Sequence, residues 1–134
     1  MQTQHRIILG NSQQMSELEA GSVQLMVTSP PYPIIAMWDE LFCKADPKIA
    51  ELFQKLNAKG EDQTMREIYN AMHNYLSEVW AETFRVLIDG GIACINIGDA
   101  TRSINGKFQL YPNHSRITEA VSYTHLTLPT NREV

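Results

Sequence analysis

The longest periodic run of apolar side chains extends from Met65 to Leu87 and predicts one long amphipathic helix. Within this run, apolar residues recur every three or four positions, which places them on one face of an α-helix. Thr64 followed by Glu67 has the spacing of a capping box, so we expect the helix to begin there. The sequence Asp89-Gly90-Gly91 predicts its end.

Short apolar runs flank this helix and predict strands. Strands are expected at residues 5–10, 23–28 and 92–97, with a helix over residues 13–20 that Gly21 ends. A strand, a helix and a second strand in this order give parallel pairing through a crossover connection. The predicted fold class is therefore α/β, with a partial twisted sheet.

Smaller elements complete the pattern. The dipeptide Asn105-Gly106 is a preferred two-residue hairpin turn, and Asn113 is positioned to cap a following helix. The remaining predicted elements are a short amphipathic turn at residues 38–42, a helix over 47–57, a break at 60–62 and hairpin strands at 100–104 and 107–111.

Ser29-Pro30-Pro31-Tyr32 directly follows the strand that ends at Thr28. Open α/β sheets bind ligands at the carboxyl ends of their strands. Prolines stiffen the backbone and lack N–H donors, so their carbonyls are available as acceptors. Ser29 Oγ and the Pro30 carbonyl supply acceptors for the two hydrogens of an exocyclic amine on a planar base, and Tyr32 supplies a ring for stacking. The alternative is a polyproline loop or peptide ligand, which the preceding apolar strand disfavours.

A second group of polar residues follows the predicted strand 92–97. Parallel pairing would bring Asn96, Gly98 and Asp99 to the same sheet edge as Ser29. Asp99 and Asn96 are candidate substrate-binding residues, with Asp99 also suited to orienting the loop. The alternative for Asp99 is a carboxylate that only caps a turn.

Composition narrows the class of protein. The chain has 134 residues, 43% of them hydrophobic and 19% charged, with a net charge of −4, which is typical of a globular domain. We expect no membrane association and a cytoplasmic location, since no apolar run approaches a membrane span and no signal sequence is evident. Two isolated cysteines predict neither disulfides nor a metal site. Nucleic-acid binding favours basic patches, and six basic residues lie in predicted loops or on exposed helix: Lys44, Lys48, Lys55, Lys59, Arg102 and Lys107.

The string Thr28 to Asp39, TSPPYPIIAMWD, resembles the bacterial site-specific DNA amino-methyltransferases, whose catalytic motif is (Ser/Asn/Asp)-Pro-Pro-(Tyr/Phe). The resemblance implies a Rossmann-like methyltransferase sheet, S-adenosylmethionine as cofactor and DNA as partner, and it allows a cognate restriction endonuclease in a restriction-modification pair. It assigns catalysis to Ser29, Pro30, Pro31 and Tyr32, acting on a flipped base. Serine in the first position favours cytosine N4; adenine N6 and a non-catalytic nucleic-acid-binding module are the alternatives.

The same family has a Phe-x-Gly-x-Gly loop that holds the cofactor, and no Gly-x-Gly occurs in this chain. No cofactor-binding residue is therefore assigned. We expect residues 1–120 to be the catalytic part of a truncated methyltransferase domain that is inactive alone. Residues 121–134 lose the pattern and are expected to be a non-native tail, similar to translated sequencing-adapter read-through.

Overall fold

The computed structural model describes residues 1–59 and 62–122 and combines helices with a small parallel sheet, which confirms the α/β class. Of the break predicted at residues 60–62, Gly60 and Glu61 lie outside these ranges, whereas Asp62 is helical; the larger part of the predicted non-native tail, residues 123–134, also lies outside them. The elements are β1 (Val23–Thr28), a 3₁₀ turn (Ala36–Trp38), α1 (Asp39–Ala45), α2 (Pro47–Lys59), α3 (Asp62–Val86), β2 (Leu87–Ile95), β3 (Ala100–Ile104), β4 (Lys107–Tyr111) and α4 (Asn113–Val121).

β1 and β2 form a two-stranded parallel sheet, as the strand–helix–strand order predicts. Val23 pairs with Leu87, whereas Leu25 pairs with Ile92, so β2 contains extra residues between the two pairs. Those residues include Asp89-Gly90-Gly91, which the sequence marks as the end of the long helix. The helix in fact ends at Val86 and the chain enters β2 at once, and β2 ends at Ile95 rather than Ile97.

The second sheet is the antiparallel hairpin of β3 and β4, and its strands have the predicted bounds. Asn105 has φ 52° and Gly106 has φ 76° at its tip. Positive φ at both central residues is the requirement of a type I′ turn, which Asn-Gly meets at little cost. Local turn chemistry therefore determined this part of the fold.

The predictions for the N-terminal region are wrong. Residues 5–10 form no strand, and residues 13–20 form separate turns instead of a helix. Asn11 Oδ1 accepts the Gln13 amide at 2.9 Å, and Asn11 O accepts the Gln14 amide at 3.0 Å. Because Asn and Ser side chains bond to nearby backbone groups, they compete with the helical hydrogen-bond ladder.

The hydrophobic core lies between α3 and the shorter helices. Phe42, Ile49, Ile68 and Met72 are completely buried there, which confirms the apolar stripes predicted for the helices. Thr64 is also fully buried, inside α3, so it is not the predicted N-cap. Helix α3 is thus the central element against which the other helices pack.

One face of the parallel sheet packs on this core through Met26 and Ile95. The opposite face is open to solvent: Val27 is 72% exposed and Ile92 is 60% exposed. Cys94 also lies on that face and is exposed.

Candidate active site

The Ser-Pro-Pro-Tyr segment leaves the sheet at the carboxyl end of β1. Thr28, the last residue of β1, pairs with Ile95, the last residue of β2. Ser29 is exposed, Pro30 is buried and Tyr32 is half-buried. The motif thus begins at the sheet edge with an accessible hydroxyl and continues as a backbone held against the protein.

The residues after β2 lie at the same edge. The Asn96 amide donates to the Thr28 carbonyl at 2.9 Å, next to Ser29. Gly98 borders the tyrosine, since a Cβ at position 98 would lie 3.4 Å from Tyr32 Cε2. The structure therefore brings Asn96 and Gly98 beside the motif, and the substrate-binding role of Asn96 stays a prediction.

Asp99 is exposed and bonds to the next helix. Its Oδ1 accepts the backbone amide of His114 at 3.1 Å, in the first turn of α4. A carboxylate at a helix N-terminus satisfies an amide that has no partner within the helix and complements the helix dipole. Capping of a turn was the alternative that the sequence left open for Asp99, and a role toward substrate stays a prediction.

A cavity of about 520 Å³ adjoins the first three motif residues. Ser29, Pro30 and Pro31 form one side of it, and side chains of α3, including Trp80, form another. Gly10, Asn11 and Ser12 close a third side. Tyr32 is not among the residues that line this cavity.

Two side chains of α3 bind the N-terminal segment that follows residues 10–12. Glu82 Oε1 accepts the Met15 amide at 2.8 Å, and Arg85 Nη2 donates to the Met15 carbonyl at 2.9 Å. Arg85 Nη1 also donates to the Leu18 carbonyl at 3.1 Å. Arg85 and Glu82 pair with each other at 2.6 Å. Their hydrogen bonds replace those that a helix at residues 13–20 would have made.

Sequence reasoning missed a buried polar pair behind the motif. Asn113 is fully buried and does not cap α4; the cap position is Pro112. Its Oδ1 lies 2.9 Å from His73 Nε2, and its Nδ2 lies 3.0 Å from the Pro33 carbonyl and 3.2 Å from that of Gly98. The available signal was His73, which lies on the apolar stripe of the predicted helix between Tyr69 and Leu76.

The environment keeps His73 neutral. Burial lowers the pKa of His73 from 6.5 to about 4; the hydrogen bond to Asn113 opposes this, and the charge of Arg116 adds to it. Since both Nδ2 hydrogens of Asn113 point to carbonyls, its Oδ1 must be an acceptor. Nε2 is therefore the protonated nitrogen of the neutral His73 ring, as assigned from this network.

A half-buried ion pair joins β3 to α1. Arg102 of β3 contacts Asp39 Oδ2 at 2.9 Å and donates to the Ile34 carbonyl at 3.3 Å. Partial burial raises the pKa of Asp39 above its usual value, against the opposing hydrogen bond and charge of Arg102. Asp39 thus connects α1 to the hairpin.

The basic residues proposed for nucleic-acid contact are mostly engaged in ion pairs. Lys44 pairs with Glu40, Lys55 with Glu67 and Lys107 with Asp62, and Arg102 pairs with Asp39 as described above. These four therefore do not form an unpaired basic patch. Lys59 has no described side chain.

Residues 1–59 and 62–122 contain neither a cluster of metal-binding side chains nor a membrane-spanning helix. No three His, Cys, Asp or Glu side chains in those ranges cluster in a way that could hold a metal ion. No helix in the same ranges combines the length and the apolar character needed to cross a membrane.

The amino-acid sequence is similar to those of known methyltransferases. The Type II methyltransferase M.MjaI of Methanocaldococcus jannaschii is 53% identical over 121 residues, which cover 87% of this chain and 40% of that relative. The Type II methyltransferase M.MthZI of Methanothermobacter thermautotrophicus is 51% identical over 116 residues, covering 87% of this chain and 31% of that relative. The chain therefore spans less than half the length of either relative. No solved structure gives a significant match.

A family model described as DNA methylase matches residues 23–122, from β1 to the end of α4. The matched region contains the Ser-Pro-Pro-Tyr segment, the residues that follow β2 and the buried pair His73–Asn113. On this match and the two relatives, the chain belongs to the N6_N4_Mtase family of DNA methylases.

Proposed function

We propose that this chain carries the base-binding and catalytic part of a site-specific DNA methyltransferase that transfers a methyl group from S-adenosylmethionine to the N4 amine of a flipped cytosine. One observation carries the proposal: Ser29 and Pro30 line a cavity at the carboxyl end of the parallel sheet, in a chain of the DNA methylase family. Ligand sites in open α/β sheets lie at such edges.

The chemistry requires two acceptors for one amine. Ser29 Oγ and the Pro30 carbonyl would each accept one hydrogen of the exocyclic NH₂ group. Those hydrogen bonds draw the hydrogens away from the ring and leave the nitrogen lone pair more available for attack. Tyr32 is half-buried and its ring borders Gly98, a position from which it would stack on the flipped base.

The cavity has the size of a ligand site. Its volume of about 520 Å³ falls within the range of roughly 300–1,000 Å³ typical of ligand sites. Ser12 lines the cavity together with Ser29 and is a described residue that would hold the donor, whereas both side-chain polar atoms of Asn11 are bonded to Gln13. S-adenosylmethionine supplies an electrophilic methyl group when bound. The chain contains no Gly-x-Gly segment to form the rest of that site.

Serine at position 29 is the feature that favours cytosine N4 over adenine N6. Since the proposed substrate is DNA, we also propose a cytoplasmic location. The relatives are named Type II methyltransferases, which supports the proposal of a cognate restriction endonuclease as a partner.

A hybrid protein tests the function. Residues 23–122 of this chain would replace the matching segment of the Methanocaldococcus jannaschii relative, and the hybrid would be incubated with DNA and labelled S-adenosylmethionine. We expect label in DNA, and N4-methylcytosine after digestion to nucleosides. N6-methyladenine instead would overturn the choice of base. A folded hybrid without transfer, beside an active parent relative, would favour a nucleic-acid-binding module.

The isolated 134-residue chain provides the second arm of this experiment. It is expected to transfer no methyl group, because it lacks the glycine-rich loop. Measurable methylation of DNA by this chain alone would show that the cavity holds the donor without that loop.

A further inference from the structure

The catalytic motif ends in a tight turn with an unfavourable backbone. The Ile35 amide donates to the Tyr32 carbonyl at 3.3 Å and closes a four-residue turn with Pro33 and Ile34 at its centre. Ile34 has φ 72° although it is a β-branched residue and almost completely buried. Residues of this kind avoid positive φ, so the turn is strained.

The sign of this angle identifies the turn. Type I and type II turns differ by a flip of the peptide between the two central residues, and only type II has positive φ, about +80°, at the second of them. Proline at the first central position suits both types. The second position of a type II turn favours glycine, so the Pro33–Ile34 peptide needs an external interaction to stay flipped.

That interaction comes from Asn113. Its Nδ2 donates to the Pro33 carbonyl, the oxygen of the flipped peptide, at 3.0 Å. The same amide group donates to the Gly98 carbonyl at 3.2 Å, and Gly98 borders the Tyr32 ring. A flip to type I would turn the Pro33 carbonyl away from Asn113 and leave a fully buried donor unsatisfied.

His73 fixes the orientation of Asn113. Its Nε2 lies 2.9 Å from Asn113 Oδ1, and its side chain is buried in α3. An Asn amide rotated by half a turn would direct its NH₂ group at the His73 N–H and its oxygen at two carbonyls. All polar atoms of the Asn113 side chain thus have partners in one orientation only.

We propose that Asn113 is a positioning residue: it holds the Pro33–Ile34 peptide in the type II orientation and ties the turn to Gly98, so that Tyr32 stays in register with Ser29 and Pro30. Its importance for catalysis rests on the proposed function, whereas its effect on the turn does not. Arg102, which donates to the Ile34 carbonyl at 3.3 Å, supports the adjacent peptide from the other side.

Nuclear magnetic resonance of the labelled 134-residue chain tests the turn directly. A type II turn brings the α-proton of Pro33 close to the amide proton of Ile34 and gives a strong Overhauser effect, which is weak in type I. We expect the strong effect in the wild type and its loss in Asn113→Asp, which still accepts from His73 but has no hydrogens for the two carbonyls. Asn74→Asp, an exposed change of the same kind on α3, should keep it.

His73 gives a second pair of variants. His73→Phe removes the donor that orients Asn113 and should weaken the same Overhauser effect. His73→Gln supplies an NH₂ donor in place of the ring N–H and should retain the effect. The proposal is overturned if a folded Asn113→Asp chain retains the strong effect. If that variant fails to fold, a folded His73→Phe chain that retains the strong effect overturns it instead. Loss of the fold in both variants also counts against it, because Asn113 would then act on global stability.

Catalysis is measured separately in the hybrid protein. Asn113→Asp should lower kcat about tenfold or more through misplacement of the motif, with little change in the KM for S-adenosylmethionine. If the hybrid transfers no methyl group at all, the proposed function fails while the Overhauser data still decide the role of Asn113. A hybrid with altered turn and unchanged kcat would contradict the positioning role.

Discussion

Arg102 Nη1 lies 2.9 Å from Asp39 Oδ2, so a hairpin strand is joined to the helix that follows the Ser-Pro-Pro-Tyr motif. The side chains are only 25% and 21% exposed. Ion pairs on the surface contribute little to stability, but a half-buried pair that loses one partner leaves a poorly solvated charge.

We therefore expect Arg102→Met to lower the free energy of unfolding by about 2 kcal/mol, the range for hydrogen bonds to charged groups. Urea denaturation monitored by circular dichroism would measure it. Lys44→Met is the matched control, because Lys44 pairs with Glu40 at the exposed surface and loss of this pair should leave stability nearly unchanged. Equal effects of the two changes would contradict this assignment.

His73 makes stability depend on pH. Its pKa is about 4 in the folded chain and 6.5 in its ordinary state, so between these values the unfolded chain binds the proton more readily. The contribution is fully present above pH 6.5 and is lost as the pH falls toward 4, by about 3 kcal/mol in total. Urea denaturation across this range would show the loss.

Other groups also titrate in acid, and His73→Gln separates their effects. The variant keeps a donor for Asn113 but has no proton to gain. Its stability should therefore fall less steeply below pH 6.5 than that of the wild type. Parallel curves for the two proteins would show that His73 does not carry the effect.

The hairpin tip offers a clean test of backbone conformation. Gly106 has φ 76°, and a Cβ placed there would meet nothing within 4 Å. Gly106→Ala should thus cost about 1–2 kcal/mol purely from its left-handed conformation, and lower Tm by several degrees. Gly10→Ala is the control, since its surroundings are equally open and its φ is not left-handed; calorimetry should show nearly no change in its Tm.

Arg85 should determine whether the N-terminal segment stays bound to α3. It donates to the carbonyls of Leu18 and Met15, so Arg85→Met is expected to release residues 11–21. Hydrogen exchange of the Met15 and Leu18 amides, resolved by mass spectrometry, would then accelerate while exchange in the core stays slow. Arg66→Met, an exposed change on the same helix, should leave both rates unchanged.

Ser29 is expected to matter for transfer and not for stability. Its side chain belongs to an exposed residue, so Ser29→Ala should leave Tm of the chain unchanged. In the hybrid it should lower kcat about tenfold or more, because one acceptor of the amine is lost. Single-turnover methylation would measure it. Unchanged kcat would remove Ser29 from the catalytic group, and Thr28→Ser is a conservative control beside it.

The sequence predicted those elements whose cause is local. Helix α3 and the hairpin follow from apolar spacing and from Asn105-Gly106, and both agree with the structure. The N-terminal turns were predicted wrongly, because the local bonds of Asn11 compete with a helix and because Glu82 and Arg85, more than sixty residues away, bind Met15. Tertiary contacts of this kind leave no periodic pattern in the segment they hold.

The same distinction applies to the site. Ser29 to Tyr32 were identifiable because two prolines after a strand are rare and chemically specific. Asn113 was interpreted as a helix cap because its local sequence allows one. Only the fold shows that its side chain points instead to Pro33, 80 residues earlier.

Helix α3 also sets the distance between the Pro33–Ile34 turn and the N-terminal segment. His73 is hydrogen-bonded to Asn113 beside that turn, and Glu82 and Arg85 are hydrogen-bonded to the backbone of Met15 and Leu18. The twelve residues from His73 to Arg85 span roughly 18 Å of rigid helix. One residue inserted between them would rotate Arg85 by about 100° relative to His73. The distance between the Pro33–Ile34 turn and the N-terminal segment therefore depends on the length of this helix rather than on the loops that form the cavity.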